Sequence, residues 1–361
     1  MKSTFGEKLK ITIYGESHSE SIGVTIEGFP ADFPVNEEKL AAFMARRAPG
    51  RDEFSTPRKE ADKVEFLSGI TDGLTDGGTI HAVIYNQNRK PKDYSDIADT
   101  PRPGHADYTA KMIYGADYNA TGGGHFSGRL TAPMCIAGGI CMQWLEAKGI
   151  TIGAHIASIH GIEDKKFDSV NITSNELNSV KSKAFACIDD TAAEKMQSEI
   201  LKARAEGNSV GGSIECAAVG LPAGIGEHMF DGLENRISLI AFGIPAVKGI
   251  EFGAGFDVCG MYGSENNDEF YFNENGEIRT RTNNCGGILG GISNAMPVVF
   301  RVALKPTPSI ALTQNTVSLS KKENTTINIG GRHDPCIVQR AVPCVEAVAA
   351  IAITDLMIRK N

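Results

Sequence analysis

The 361-residue chain is short of positive charge. It carries 36 lysine and arginine residues against 44 aspartate and glutamate residues, so its formal net charge is -8 at pH 7. Proteins that bind nucleic acid through its phosphates usually present a basic face and a high isoelectric point. The acidic balance therefore argues against nucleic acid as the main partner, and we expect none.

Long apolar stretches are also lacking. The longest, residues 132–145, contains Gln143 and falls short of the roughly 20 residues that a membrane-spanning helix needs. The first ten residues carry Lys2, Glu7, Lys8 and Lys10 and no apolar core of a secretory signal. We therefore expect no membrane partner.

The cysteines lack the spacing of a disulfide framework. None of the 8 lies in a Cys-x-x-Cys pair, and wide spacing in a long chain is typical of reduced, buried thiols. This pattern predicts a cytoplasmic protein. The sequence also lacks His-Glu-x-x-His and matched Cys/His sets, so we expect no metal site.

The phosphate-binding loops of common nucleotide enzymes are absent, since there is neither a Walker-A motif nor a Gly-x-Gly-x-x-Gly between strand and helix. Glycine is abundant instead, with 40 residues, whereas aromatic residues make up only 7%. Glycine permits tight turns and close approach of the backbone to a ligand. The functional groups are therefore expected in loops.

Nothing in the sequence marks a domain boundary. It contains no linker rich in proline and serine, no repeat and no low-complexity tract, so we predict one large domain over residues 1–361. Strand patterns at 10–14 and 24–26 precede a helix that Asn36 should cap, and strands and helices then continue to alternate. The fold class predicted is α+β.

Three further helices stand out. Residues 130–148 and 343–359 are apolar and rich in small residues, which predicts two helices buried between sheets, the second with proline in its first turn. Residues 191–206 predict a surface helix that begins with a capping box formed by Thr191 and Glu194.

Four of the 8 histidines lie in loops punctuated by glycine or proline, where acid and base groups are often found; they are His18, His105, His125 and His333. Any one of them alone would be read as an ordinary solvated side chain. Four together favour catalysis.

Arginines accompany these loops. Arg46, Arg47, Arg51 and Arg58 form a cluster, and Arg102, Arg129 and Arg332 flank histidine loops. Guanidinium groups suit carboxylate and phosphate, although a solvated helix end explains the cluster equally well. The residues alone predict an enzyme for a small polyanion. A metal-dependent hydrolase of a phosphorylated metabolite, using His-x-Asp and His-Asp pairs, and a nucleotide- or RNA-binding protein remain alternatives.

The same loops, in the same order, resemble the chorismate synthase family. The shared blocks are residues 15–18, 46–50, 102–107, 122–124, 246–249, 286–293, 305–307, 331–336 and 340–343. The resemblance implies a sheet-helix-sheet sandwich, a homotetramer, and the anti-1,4-elimination of phosphate from 5-enolpyruvylshikimate 3-phosphate. It also implies reduced FMN as cofactor, with NADPH involved only indirectly through a flavin reductase.

Roles carried over by position fall into three groups. The resemblance implies that His18 is the acid near the departing phosphate and that His105 stabilises charge on the reduced flavin. It implies that Asp334 takes part in proton removal and that the hydroxyls of Ser17 and Ser127 support these groups. Flavin contacts fall on His125, Phe126, Ser127, Ala246, Gly290, Lys305, Pro306, Thr307, Pro308, Ser309 and Arg332. The role of binding the anions of the substrate or of a nucleotide is carried over to Arg46, Arg47, Arg51, Arg102 and Arg129.

The chain departs from the family pattern at three places. Ser19 replaces a glycine, Pro245 replaces an asparagine, and His125-Phe126 replaces Arg-Ser after the triple glycine. The missing arginine removes a permanent cation. His125 or Arg129 is therefore expected to supply that charge.

Overall fold

A computed structural model describes residues 3–50, 54, 62–86, 99–115, 121–329 and 334–360. Its strands are β1 (Thr4–Phe5), β2 (Lys10–Gly15), β3 (Ser21–Glu27), β4 (Glu65–Ser68), β5 (Ile70–Thr71), β6 (Leu74–Thr75), β7 (Ile80–Tyr85), β8 (Thr151–Ile159), β9 (Ile162–Glu163), β10 (Gly212–Val219), β11 (Val247–Phe252), β12 (Phe270–Phe272), β13 (Ile278–Thr280), β14 (Ile288–Leu289), β15 (Ile292–Ser293), β16 (Val298–Leu304), β17 (Gln314–Ser318) and β18 (Glu323–Ile327). Its α-helices are α1 (Glu37–Arg47), α2 (Asp107–Tyr114), α3 (Thr131–Glu146), α4 (Ser174–Ser182), α5 (Asp190–Ala205), α6 (Leu233–Ala241), α7 (Gly263–Asn266) and α8 (Val338–Lys360).

Two antiparallel sheets of five strands form the body. The first has the order β1-β2-β3-β7-β4 and the second the order β11-β16-β10-β8-β9. In β3, Ile22, Val24 and Ile26 are fully buried whereas Thr25 is only half-buried, as expected for a strand with one face on a core. Helix α3 packs on the first sheet and α8 on the second. The predicted sheet-helix-sheet arrangement of an α+β protein is confirmed, and its extent as one domain over residues 1–361 stays a prediction.

The two apolar helices pack closely against each other between the sheets. A Cβ atom on Gly138 of α3 would lie 2.2 Å from the Cβ of Ala347 of α8, so only glycine fits at that crossing. In the described residues, one helical stretch, Val338–Arg359, is long and apolar enough to cross a membrane, and 89% of its most apolar window is buried inside the fold. Its apolar surface is therefore covered by protein.

Two predicted helix starts were wrong. Helix α8 begins at Val338, ahead of Pro343, because Val338 and Val342 are buried and lengthen the helix at its start. Helix α5 begins at Asp190, and its N-cap is Asp189, whose Oδ1 accepts the backbone N–H of Thr191 at 2.8 Å. The N-cap residue is therefore Asp189, and not Thr191 as the sequence pattern predicted.

Loops from both sheets and the helix layer meet at one place. Residues 16–20 join β2 to β3, residues 305–309 follow β16, and Asp334 precedes α8. All three segments, together with the turn before α2 and the glycine segment before α3, line one cavity.

Candidate active site

The cavity has a volume of about 550 Å³, within the usual range for sites that bind small molecules. Most of the residues expected to act on substrate or flavin lie on its wall. They are Ser17, His18, Arg47, Arg102, His105, His125, Phe126, Ser127, Arg129, Ala246, Lys305, Thr307, Pro308, Ser309 and Asp334. Distant segments of the sequence are therefore brought together here.

The structure does not bring three of the expected residues to this wall. Arg46 points into the helix layer, where its two terminal nitrogens lie 2.5 and 3.0 Å from the carboxylate of Glu346. Gly290 lies in the turn between β14 and β15, and Pro306 is exposed beside the wall. Arg51 and Arg332, like Arg58 and His333, lie outside the described residues.

The triple glycine positions two histidine rings. A Cβ on Gly122 would lie 2.3 Å from Cε1 and Nδ1 of His18, and one on Gly123 would lie 3.1 Å from Nε2 of His105. Gly122, Gly123 and Gly124 have φ values of 62°, 83° and 51°, which other residues adopt only with strain. Glycine is thus required both for the backbone conformation and for the space that the rings occupy.

His105 belongs to a buried ion cluster. Its Nδ1 lies 2.7 Å from Oδ1 of Asp107, and Arg102 donates to the same carboxylate from Nε at 2.7 Å and from Nη2 at 2.8 Å. Although burial opposes it, the hydrogen bonds from Arg102 and His105 hold the pKa of Asp107 well below its usual range. Nε2 of the same ring lies beside Gly123 and 3.2 Å from Nη2 of Arg102.

A second buried carboxylate, Asp62, joins two arginines. Arg47 donates to it from Nη1 at 2.8 Å, and Arg129 donates to its other oxygen. Burial favours the neutral acid, but the two guanidinium charges outweigh it and keep the pKa of Asp62 below its usual value. Arg47 also donates from Nε to Thr131 at 3.1 Å, and Arg129 from Nε to Asn86 at 3.1 Å. Both arginines are therefore rigidly held.

Asp334 and Arg340 form a third ion pair. Arg340 donates from Nη1 to Oδ2 of Asp334 at 2.5 Å and from Nε to the carbonyl of Arg47 at 3.1 Å. The sequence suggested Asp107 only as part of a metal-dependent hydrolase, and it predicted no role for Asp62 or Arg340. The His-x-Asp spacing was a signal for Asp107, whereas Asp62 follows a charged segment that resembles a solvated loop.

The wall carries more positive than negative charge. Its cations are Arg47, Arg102, Arg129, Lys305 and Arg340. Among the described residues, Asp334 is the carboxylate on the wall, since Asp62 and Asp107 lie behind their arginines. The buried Oγ1 of Thr307 also lines this region and has no hydrogen-bond partner in the described part of the chain. These features suit an anionic ligand with further acceptor or donor groups.

His125 is tied to the first sheet through both ring nitrogens. Nδ1 lies 3.0 Å from the carbonyl oxygen of Gly15, and Nε2 lies 2.8 Å from Oγ of Ser3. A neutral ring satisfies both partners, with Nδ1 donating and Nε2 accepting. The geometry therefore gives His125 a role in holding the N-terminal strand, and its role as the replacement cation stays a prediction.

The other two departures fit their surroundings. Oγ of Ser19 accepts the backbone N–H of Glu16 at 2.9 Å and lies 2.6 Å from the carbonyl of Ser21, so it closes the loop that carries His18. Pro245 lies on the cavity wall next to Ala246, which has a φ of 78°. Such strain in a residue other than glycine is common at functional sites.

Comparison of the sequence and the structure with known proteins identifies one family. The sequence profile described as chorismate synthase matches residues 9–358. Chorismate synthase of Lancefieldella parvula is 47% identical over 368 aligned positions, which cover 99% of this chain and 96% of the relative. That of Methanocaldococcus jannaschii is 44% identical and covers 99% and 97%. A solved structure titled as a crystal structure of chorismate synthase superposes with a TM-score of 0.77 at 27% identity, over 99% of this chain and 93% of that one.

Proposed function

The chain belongs to the chorismate synthase family, and on that premise we propose that it is the lyase that converts 5-enolpyruvylshikimate 3-phosphate into chorismate and phosphate. The observation that carries the proposal is the cationic cavity in which one glycine loop holds two histidines. The substrate has one phosphate and two carboxylates. Among the described residues, five cations and one carboxylate line the wall, and Asp62 and Asp107 lie behind three of these cations.

Enzymes of this family act with a reduced flavin, and we assign FMN as that flavin. The residues present fit it, because the cavity is large enough and the buried Thr307 hydroxyl needs a partner. Lys305, Thr307, Ser309 and the strained backbone at Ala246 would hold the flavin. When bound, reduced flavin supplies the electron density that an elimination from an unactivated C–H bond requires.

His18 is assigned as the acid for the departing phosphate. Its Nδ1 is buried against Gly122, so Nε2 is the nitrogen that can hold a proton toward the cavity. The hydroxyl of Ser17 lies in the same contact region and supports the ring. Protonation of a leaving oxygen by a positioned imidazole contributes typically about 10²- to 10⁴-fold to a rate.

His105 and Asp334 are assigned to the other side of the reaction. Asp107 and Arg102 together orient the His105 ring, and we assign this ring and the adjacent guanidinium to stabilise charge beside the flavin. Asp334 is the carboxylate on the wall, and Arg340 fixes its direction through one short hydrogen bond. We assign its carboxylate to accept the proton, and the hydroxyl of Ser127 lies on the same cavity wall.

Further parts of the proposal concern the assembly and the reductant. A homotetramer and a cytoplasmic location follow from the family resemblance and the reduced thiols. NADPH enters only through a separate flavin reductase. The assembly, the location and the source of reductant do not change the chemistry assigned to His18, His105 and Asp334.

The test is chorismate formation from 5-enolpyruvylshikimate 3-phosphate with reduced FMN under anaerobic conditions. We expect turnover by the wild-type protein and rates about 10- to 10⁴-fold lower for His18→Ala and His105→Ala, with little loss of folding. His228→Ala, which alters an exposed histidine that does not line the cavity, is the matched control. Equal rates in all four proteins would refute the assigned roles.

A further inference from the structure

Two cysteines meet directly under the cavity. The Sγ of Cys135 on α3 lies 3.8 Å from the Sγ of Cys344 on α8. Cys344 contributes to the cavity wall, whereas Cys135 is fully buried behind it. The mechanism described above uses neither thiol.

The packing of the two helices holds these sulfurs opposite each other. The helices are also in close contact at Gly138 and Ala347. Each of these residues lies three positions after the cysteine on its own helix. The two helices therefore run in the same direction and present the cysteines in register, one helical turn before that contact. A disulfide requires the sulfurs to approach by a further distance of about 1.8 Å, since the bond length is about 2.0 Å.

The surroundings of Cys344 favour its thiolate. The hydrogen bond from the Cys135 thiol and the charge of Arg47 lower the pKa of Cys344 to about 7, although burial opposes them. The hydroxyl of Thr131 and the charge of Arg340 act in the same direction, whereas the thiol form of Cys344 donates to the carbonyl oxygen of Arg340 at 3.5 Å. A thiolate next to cations and open to a cavity is the reactive form of cysteine.

The other buried cysteines differ in this respect. Burial raises the pKa of Cys141 and of Cys336 to about 12, and it raises the pKa of Cys216 well above the usual value. Among the described residues, Cys135 and Cys344 are the two cysteines whose sulfurs approach each other. Reactivity and a second thiol within reach therefore coincide at one place.

We propose that Cys344 and Cys135 are a peroxide-reactive dithiol that closes to a disulfide in the floor of the active site. The Cys344 thiolate attacks one oxygen of hydrogen peroxide, the O–O bond breaks, and hydroxide leaves and takes up a proton to form water. The sulfur of Cys135 then attacks the resulting sulfenic acid, the S–O bond breaks, and the hydroxyl leaves as water with the proton of Cys135. Two thiols are oxidised and one peroxide is reduced to two waters.

The cavity gives the oxidant a reason to be present. Reduced flavins that meet dioxygen release hydrogen peroxide, so a site that binds reduced flavin is exposed to it. The disulfide does not depend on that source, because peroxide added from solution has the same chemistry. The proposal can therefore be tested without flavin or substrate.

The experiment treats the full chain with hydrogen peroxide, blocks remaining thiols under denaturing conditions and maps the peptides by mass spectrometry. A Cys259→Ser background removes the exposed thiol, which would otherwise form links between chains. We expect a cross-linked pair of peptides containing Cys135 and Cys344, lighter by two hydrogens, that dithiothreitol separates. Absence of this pair, or a pair formed with another cysteine, would overturn the proposal.

Single variants separate the two thiols. In Cys135→Ser, we expect the reaction to stop at a sulfenic acid on Cys344, which dimedone traps; in Cys344→Ser, we expect Cys135 to remain a thiol. Cys141→Ser alters a buried cysteine on the same helix and should leave the cross-link unchanged. Trapping of Cys135 in the second variant, or loss of the cross-link in the control, would contradict the assignment of Cys344 as the attacking thiol.

Discussion

At the scale of single residues, the position of His18 depends on a neighbour that has no side chain. Gly122→Ala places a methyl group 2.3 Å from the His18 ring in a backbone conformation that alanine resists. We expect turnover to fall at least about 10²-fold, because displacement of a catalytic group by about 1 Å costs that much. Chorismate formation under anaerobic conditions measures it.

The control for this change is Gly276→Ala in the hairpin of β12 and β13. Gly276 has a φ of 76° and nothing within 4 Å of the added methyl group, so it carries the same backbone strain without a histidine in contact. Its turnover should match the wild-type value. Equal losses in both variants would show that strain, and not contact with His18, explains the effect.

His125 provides a second prediction for single residues. Because its nitrogens face Gly15 and Ser3, we expect the dissociation constants of FMN and substrate in His125→Ala to follow the wild-type dependence on pH between 5.5 and 8.5. Ser3→Ala should behave in the same way. A wild-type affinity that weakens with rising pH, together with a flat profile in His125→Ala, would instead make His125 the cation of the site.

The sequence identified the histidines of the site but not the carboxylates that hold the arginines. His18, His105 and His125 lie in glycine loops that are visible in the sequence, and all three line the cavity. Asp62 became recognisable only in three dimensions, because Arg47 and Arg129 come from separate segments and meet at its carboxylate. Pairings between distant residues depend on the fold and leave no local pattern.

At the scale of secondary structure, the same capping pattern lies at the start of one helix and inside another. Thr173 and Glu176 form a reciprocal capping box at the start of α4, whereas Thr191 and Glu194 have the same spacing and lie inside α5. Asp189 is the N-cap of α5 because its carboxylate accepts hydrogen bonds from two backbone N–H groups. A cap motif therefore indicates a helix more reliably than it indicates the first residue.

Strand β8 carries a buried triad with a consequence for stability. His155 lies between two carboxylates, with Nδ1 2.9 Å from Asp164 and Nε2 2.9 Å from Glu215. Burial alone would lower the pKa of His155, but the two hydrogen-bonded carboxylates raise it above its usual 6.5. The folded state thus binds this proton more tightly than the unfolded chain does.

The sign of the pH effect follows from that raised pKa. The contribution of His155 to stability is fully present below about pH 6.5 and is lost as pH rises through the pKa of the folded state. We expect His155→Leu to lower the free energy of unfolding by about 3–5 kcal/mol at pH 6, since two buried carboxylates lose their partner, and by less at pH 9. Denaturant unfolding at both values tests this, and an equal loss at the two would contradict it.

At the scale of the whole molecule, two apolar helices determine the architecture. The sequence predicted that residues 130–148 and 343–359 would be buried between sheets, and α3 and α8 are buried there. The order of strands within each sheet could not be predicted, since every pairing is between antiparallel strands and several join segments far apart in sequence, such as β10 and β16. Resemblance to a family predicted the sheet-helix-sheet sandwich but not the order of its strands.

The balance of products under anaerobic conditions tests the central claim most directly. With reduced FMN, 5-enolpyruvylshikimate 3-phosphate and a chelator of divalent metals, we predict one chorismate for each phosphate released and a flavin that is still reduced after many turnovers. Phosphate released without chorismate, or activity that the chelator abolishes, would instead favour a metal-dependent hydrolase. Oxidation of one flavin for each turnover would also contradict the account, because the proposed elimination involves no net oxidation.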